Sequence, residues 1–171
     1  MHPMIRLLSF LLAGTFLLAC TPKYDWREVR GSDAPFVVAL PGKSATHARK
    51  VDLDGVQVMM SMIATETDGV TFAVGTAELP DAAQAENALV AMKTALVRNI
   101  GGTIVHEKAE PALITIEASG PPGAGSGSQP RLLLARFIAQ GQRAYQLVVV
   151  GRENAVARDA ADIFFTSFKI D

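Results

Sequence analysis

One cysteine, Cys20, is all that the 171-residue chain contains, so no disulfide can form within it and the fold must hold by burial. Charge of one sign is also missing. Sixteen Lys and Arg face seventeen Asp and Glu, a net charge of −1 with no basic stripe, which argues against a nucleic-acid partner. Apolar runs long enough to cross a bilayer, roughly 20 residues, do not occur. Catalytic motifs are absent too: there is no Gly-x-Ser-x-Gly elbow and no HExxH pair. His47 and His106 are the only histidines after Cys20, and Ser44 stands three residues before His47 in an expected loop, without an orienting acid. These two histidines read as surface residues, and the expected catalytic set is none.

What is present begins at the N-terminus. Residues 1–19 carry one strong positive charge, Arg6, and then LLSFLLAGTFLLA without any acid, the layout of a secretory signal. Leu17-Leu18-Ala19-Cys20 resembles the bacterial lipobox, in which a small residue precedes a cysteine that receives diacylglycerol before the signal is removed. An odd cysteine in an exported chain otherwise needs a special explanation. The resemblance implies lipidation of Cys20 and a membrane partner held through that lipid. Two or more acyl chains anchor stably, at about 0.8 kcal/mol for each buried methylene. Thr21 rather than Asp follows the cysteine, which implies transfer to the outer membrane with the domain facing the periplasm. The expected division is a signal peptide at 1–19, a lipidated cysteine with a short tether at 20–33, and one domain at 34–171. Residues 20–171 number 152, with 15 basic and 17 acidic side chains, a size that suits one domain with a real core.

Hairpins are the strongest local signals. Asp54-Gly55 and Asp68-Gly69 each separate alternating segments, the arrangement of a two-residue turn, and they predict a three-strand meander after an earlier strand at PFVVALP. The period then changes. From Asp81 to Gly101 the residues Ala85, Leu89, Met92, Leu96 and Ile100 recur at helical spacing, with Asp81 as N-cap, Gln84 at the capping-box position and Gly101 closing the helix. Four strand-like runs follow, TIVHEKA, ALITIEAS, RLLLARFIAQ and RAYQLVVVG, and then a second helix over about 155–165. In VTFAVGTAEL one face carries Val70, Phe72 and Val74 and the other Ala73, Gly75 and Ala77. RLLLARFIAQ is apolar on both, with Leu132, Leu134 and Ile138 against Leu133, Ala135 and Phe137. Strands buried on both sides need layers on both sides. The expectation is an α+β fold, a single antiparallel sheet flanked by two helices.

YDWREVR, LPGK, RKVDLDG, VQVMMSM, TFAVG, AYQLVVVG and FFTSF together resemble a group of uncharacterised proteobacterial outer-membrane lipoproteins. The order of elements, closing on the FF-x-SF helix, is similar to the PsbP-like fold, an α/β/α sandwich whose members are chiefly assembly factors and binding modules. With the lipobox and the absence of a catalytic set, the expectation is a lipid-anchored, non-catalytic accessory or binding protein of the cell envelope, with an envelope protein as partner and no cofactor.

Sharper readings of single stretches are weak. Gly42-Lys43-Ser44 resembles the end of a phosphate-binding loop, but Val37 stands where its first glycine belongs. The glycines of SGPPGAGSGSQP, 119–130, lead into Pro130 and a strand rather than a helix, so a connection is the expectation. Met59, Met60 and Met62 could offer thioethers to Cu(I), but Met60 and Met62 share a strand face with Val56 and Val58, as core residues do. Asp52 and Asp54 read as a hairpin, without the later acids of a calcium loop. The expected metal set is none, with weak Met-based copper binding and a small envelope hydrolase as alternatives. Tyr24 and Trp26 follow the anchor closely; residues 21–25 separate Trp26 from Cys20, roughly 17 Å at full extension. Both lipid headgroups and the protein core are open to them.

Overall fold

The computed structural model describes residues 23–123 and 127–171. The expected signal peptide and the expected lipidation site Cys20 lie outside the described residues, as does part of the glycine-rich connection. Twelve elements follow in order: β1 (Arg27–Arg30), β2 (Phe36–Leu40), β3 (Ala45–Leu53), β4 (Val56–Thr67), β5 (Val70–Glu78), α1 (Ala82–Asn99), β6 (Thr103–Glu110), β7 (Leu113–Gly120), β8 (Arg131–Gln140), β9 (Arg143–Arg152), α2 (Arg158–Ser167) and β10 (Lys169–Ile170).

Both Asp-Gly pairs form the turns their chemistry predicts. Asp54 and Gly55 have φ of 57° and 82°, and Asp68 and Gly69 have 53° and 73°, the left-handed pairs of a type I′ hairpin. They set the β3-β4-β5 meander in register, with Leu53 opposite Val56 and Thr67 opposite Val70. Helix α1 starts as expected: the Asp81 carboxylate accepts from the Gln84 backbone N–H at 2.8 Å, and the Gln84 amide returns a bond to the same carboxylate. These bonds hold the Asp81 pKa below its ordinary value, the Gln84 backbone N–H being the largest cause. The helix stops at Ile100, and Gly101 beyond it takes φ of 61°.

The helix carries the chain from one meander to the next, β6-β7-β8-β9. β9 then returns to lie antiparallel to β5, giving one seven-stranded sheet in the order β3-β4-β5-β9-β8-β7-β6. The fold is α+β and mostly antiparallel, with both helices present.

The expectation of a single sheet is corrected. PFVVALP does not join the large sheet; as β2 it forms the centre of a separate three-stranded sheet, β1-β2-β10. Phe36, Val38 and Leu40 on its buried side pack against the large sheet, and β1 and β10 extend this second layer sideways. β1 also lies within residues 20–33, so the stretch expected as a tether contributes a strand.

The large sheet is thus covered differently on its two faces. One is covered across its middle by α1, through Ala85, Ala88, Leu89 and Met92 against Ala73, Ala77, Leu133, Ala135, Phe137 and Val148. Small side chains on β5 and β8 leave room for that close approach. Gln146, buried on this face, fills the space that Gly75 leaves empty: a Cβ on Gly75 would stand 2.8 Å from its side chain. The other face is covered by the small sheet and α2, and its core is aromatic: Phe36, Phe72, Tyr145, Phe164 and Phe165. Phe72 meets Phe164 edge-on at 5.7 Å between centroids and Tyr24 and Trp26 edge-on at 6.4 Å each. Tyr24 and Trp26 therefore rest half-buried on the core.

Candidate functional site

The register of the strands determines what the aromatic face offers. Thr65, Phe72, Val149, Leu134, Glu117 and His106 lie opposite one another across β4, β5, β9, β8, β7 and β6. The neighbouring row on the same face runs Ile63, Val74, Leu147, Arg136, Thr115 and Lys108. Both rows begin buried or partly buried on the side of the small sheet and end in polar side chains, His106 and Lys108, at the β6 edge. The change comes where the cover stops, because α2 reaches only part of the way over β8 and β7.

There a groove of about 290 Å³ opens between α2 and β6–β8. Strands supply His106, Lys108, Thr115, Glu117, Leu134 and Arg136, and the helix supplies Arg158, Asp162 and Phe165. Arg158 donates to both oxygens of Glu117, at 2.9 and 2.7 Å, a fork-on-fork pair that ties the start of α2 to β7. The hydrogen bond from Arg158 holds the Glu117 carboxyl below its ordinary pKa, against the opposing effect of burial, and raises the Arg158 pKa. Since the Arg158 side chain is 59% exposed, the pair adds no more than about 1 kcal/mol. Lys108 pairs with Glu110 at 2.6 Å, and that bond raises the Lys108 pKa. The Arg136 guanidinium lies over the Phe165 ring, 4.7 Å from its centroid, and donates one long bond of 3.5 Å to the Phe165 carbonyl.

Sequence reasoning singled out His106, and the structure brings it together with Thr115, Glu117 and Asp162. No hydrogen bond joins His106 to any of them among the described residues. His47 lies in β3 rather than in the expected loop, on the opposite edge of the sheet from β6, about 29 Å away along six strand spacings. The two histidines cannot share a site. Met60 is buried in the α1-side core and Met62 packs against it, while Met59 points to the other face and is 53% exposed, so alternation along β4 takes Met59 away from the other two sulfurs. Asp52 holds its own turn, accepting from the Gly55 N–H at 2.8 Å and the Gln57 amide at 2.7 Å. Among the described residues no group of three His, Cys, Asp or Glu is placed to hold a metal ion, and no helix is long and apolar enough to cross a membrane.

Arg136 was missed. Its signal was a single charge inside RLLLARFIAQ, on the face that carries Leu132, Leu134 and Ile138.

No family model matches the chain, and no curated protein matches it. Among solved structures it is similar to a crystal structure from Bacteroides thetaiotaomicron VPI-5482, with a TM-score of 0.43 and 10% identity. That match covers 84% of this chain and 48% of the other, so the chain spans about half the length of that protein.

Proposed function

We propose that the protein is a lipid-anchored accessory or binding module of the cell envelope, held in the outer membrane through Cys20, facing the periplasm, and engaging its partner through the groove between α2 and β6–β8. The resemblance to outer-membrane lipoproteins and to the PsbP-like sandwich belongs to this proposal. The observation that carries it is the groove itself, a stretch of sheet face left uncovered where apolar rows turn charged.

The anchor supports the same reading. Lys23 is three residues past Cys20, at most roughly 11 Å of chain, and it pairs with Asp68 at the β4-β5 turn at 3.7 Å. Lipid on Cys20 would hold that end of the sheet against the bilayer and leave the groove open to one side.

A small hydrolase is the second reading, favoured by the meeting of His106, Thr115 and Glu117 in one groove. Binding has the stronger support. A general base works best with a pKa near the working pH, and Glu117 is driven the other way by its pairing with Arg158. Crosslinking and pulldown of the native lipoprotein from membranes tests the module. Reproducible partners that are lost with Thr115→Trp, which fills the groove, are expected; the same partners recovered with both proteins would remove the groove from the account. Cys20→Ala should release or stall the protein, and unchanged outer-membrane fractionation would remove the anchor.

A further inference from the structure

The cations of the groove are not equivalent. Arg158 is engaged by both oxygens of Glu117, and Asp162, one helical turn further along α2, acts on the same guanidinium. Lys108 has Glu110. Arg136 has no carboxylate within ion-pair distance among the described residues, although it is half-buried on the sheet face. Its single bond to the Phe165 carbonyl uses one of the five N–H donors of a guanidinium, and the ring beneath it fixes the plane in which the others point. Charged side chains are rarely withdrawn from water without a counter-charge. Beside the guanidinium, Leu134 and Phe165 form an apolar wall.

We infer that the groove binds an oxyanion, a carboxylate or a phosphate monoester carried on an apolar body, and that Arg136 is the residue that contacts it. This rests on reading the groove as the binding surface. The guanidinium fork matches the spacing of two oxygens on either anion, and Leu134 with Phe165 takes the apolar part. Asp162, exposed on the α2 rim, and Glu117 on β7 both disfavour an anion beside them, which leaves Arg136 and Thr115 as the end of the groove that receives it. A purely structural reading makes Arg136 a cation placed near the C-terminal end of α2, and a lysine would serve that role as well.

The test uses the whole protein purified in a non-ionic detergent, titrated with hexanoate, hexyl phosphate and, as neutral control, hexan-1-ol, and followed by backbone amide NMR shifts. Both anions are expected to shift amides of β7, β8 and α2, and hexanol much more weakly. Arg136→Gln should weaken anion binding about tenfold or more, the loss of one charge-assisted contact. Arg136→Lys should retain the fold and its melting temperature while weakening the anions roughly threefold, because the bidentate fork and the stack on Phe165 are lost. Asp162→Asn should tighten both. Preference for one anion over the other separates a phosphate headgroup from a carboxylate. Hexanol binding as tightly as the anions, no anion binding at all, or unchanged affinity in a folded Arg136→Gln protein would each overturn the inference. If Arg136→Gln fails to fold, unchanged affinity in Arg136→Lys does so. Absence of anion binding with partners still lost in Thr115→Trp would remove the anion and leave the groove.

Discussion

The two faces of the seven-stranded sheet solve the same problem of burial with different materials. On one, an 18-residue helix lies over alanines and medium-sized side chains and covers the middle of the face, with hollows of about 550 and 490 Å³ beside it toward the β3-β4 turn and β6. On the other, a ten-residue helix and a three-stranded sheet share the cover, packed on phenylalanines, and together they stop short of the β6 edge. A cover made of two pieces leaves a margin, and on this molecule the margin is where Arg136, Arg158, Glu117 and His106 meet.

The largest expected effect tests the aromatic face. Phe164 is fully buried between Phe72 and Phe165, and Phe164→Ala should cost about 3–5 kcal/mol by urea unfolding. It should also loosen α2, raising amide exchange there while α1 stays protected. On the opposite face Leu89→Ala should cost about 2–5 kcal/mol and loosen α1, leaving the groove unchanged. Equal loosening of both helices by either variant would break the distinction between the faces. Asp81→Ala removes the α1 N-cap and should lower the urea midpoint by less than either core substitution.

The smallest effect concerns the groove. Glu117 has a lowered folded-state pKa, so the Arg158 pair stabilises the fold above the ordinary carboxyl value of 4.5, and that contribution is lost as pH falls through the lowered value. Arg158→Ala should therefore cost about 1 kcal/mol or less near pH 7 and nothing measurable near pH 2, by urea unfolding at both. Carbon-detected titration of Glu117 should show its pKa rising in that variant.

Much of the large sheet was legible in the sequence because its signals are local. Asp-Gly at 54–55 and 68–69 dictates two turns, Asp81 with Gln84 starts a helix, and the doubly apolar RLLLARFIAQ requires cover on both sides. The second sheet was not legible. FVVAL is apolar at every position, so its period says neither which face is buried nor which layer it joins, and β10 is only two residues long. The groove depends on longer-range facts still. His106, Glu117, Arg136 and Arg158 come from four elements, and only the order β9-β8-β7-β6, with α2 laid beside it, brings them together. His106 drew attention by residue type; Arg136 became visible once its neighbours across the strands were known.

The most direct test of the margin as the working surface places a photoreactive side chain at two exposed or half-exposed sites in the native protein, Thr115 in the groove and Val90 on α1. Illumination of intact cells should give a discrete crosslinked species from position 115 and none from position 90. A species from position 90 with none from 115 would contradict the account and move function to the α1 face, where Val90 lines a hollow of about 550 Å³.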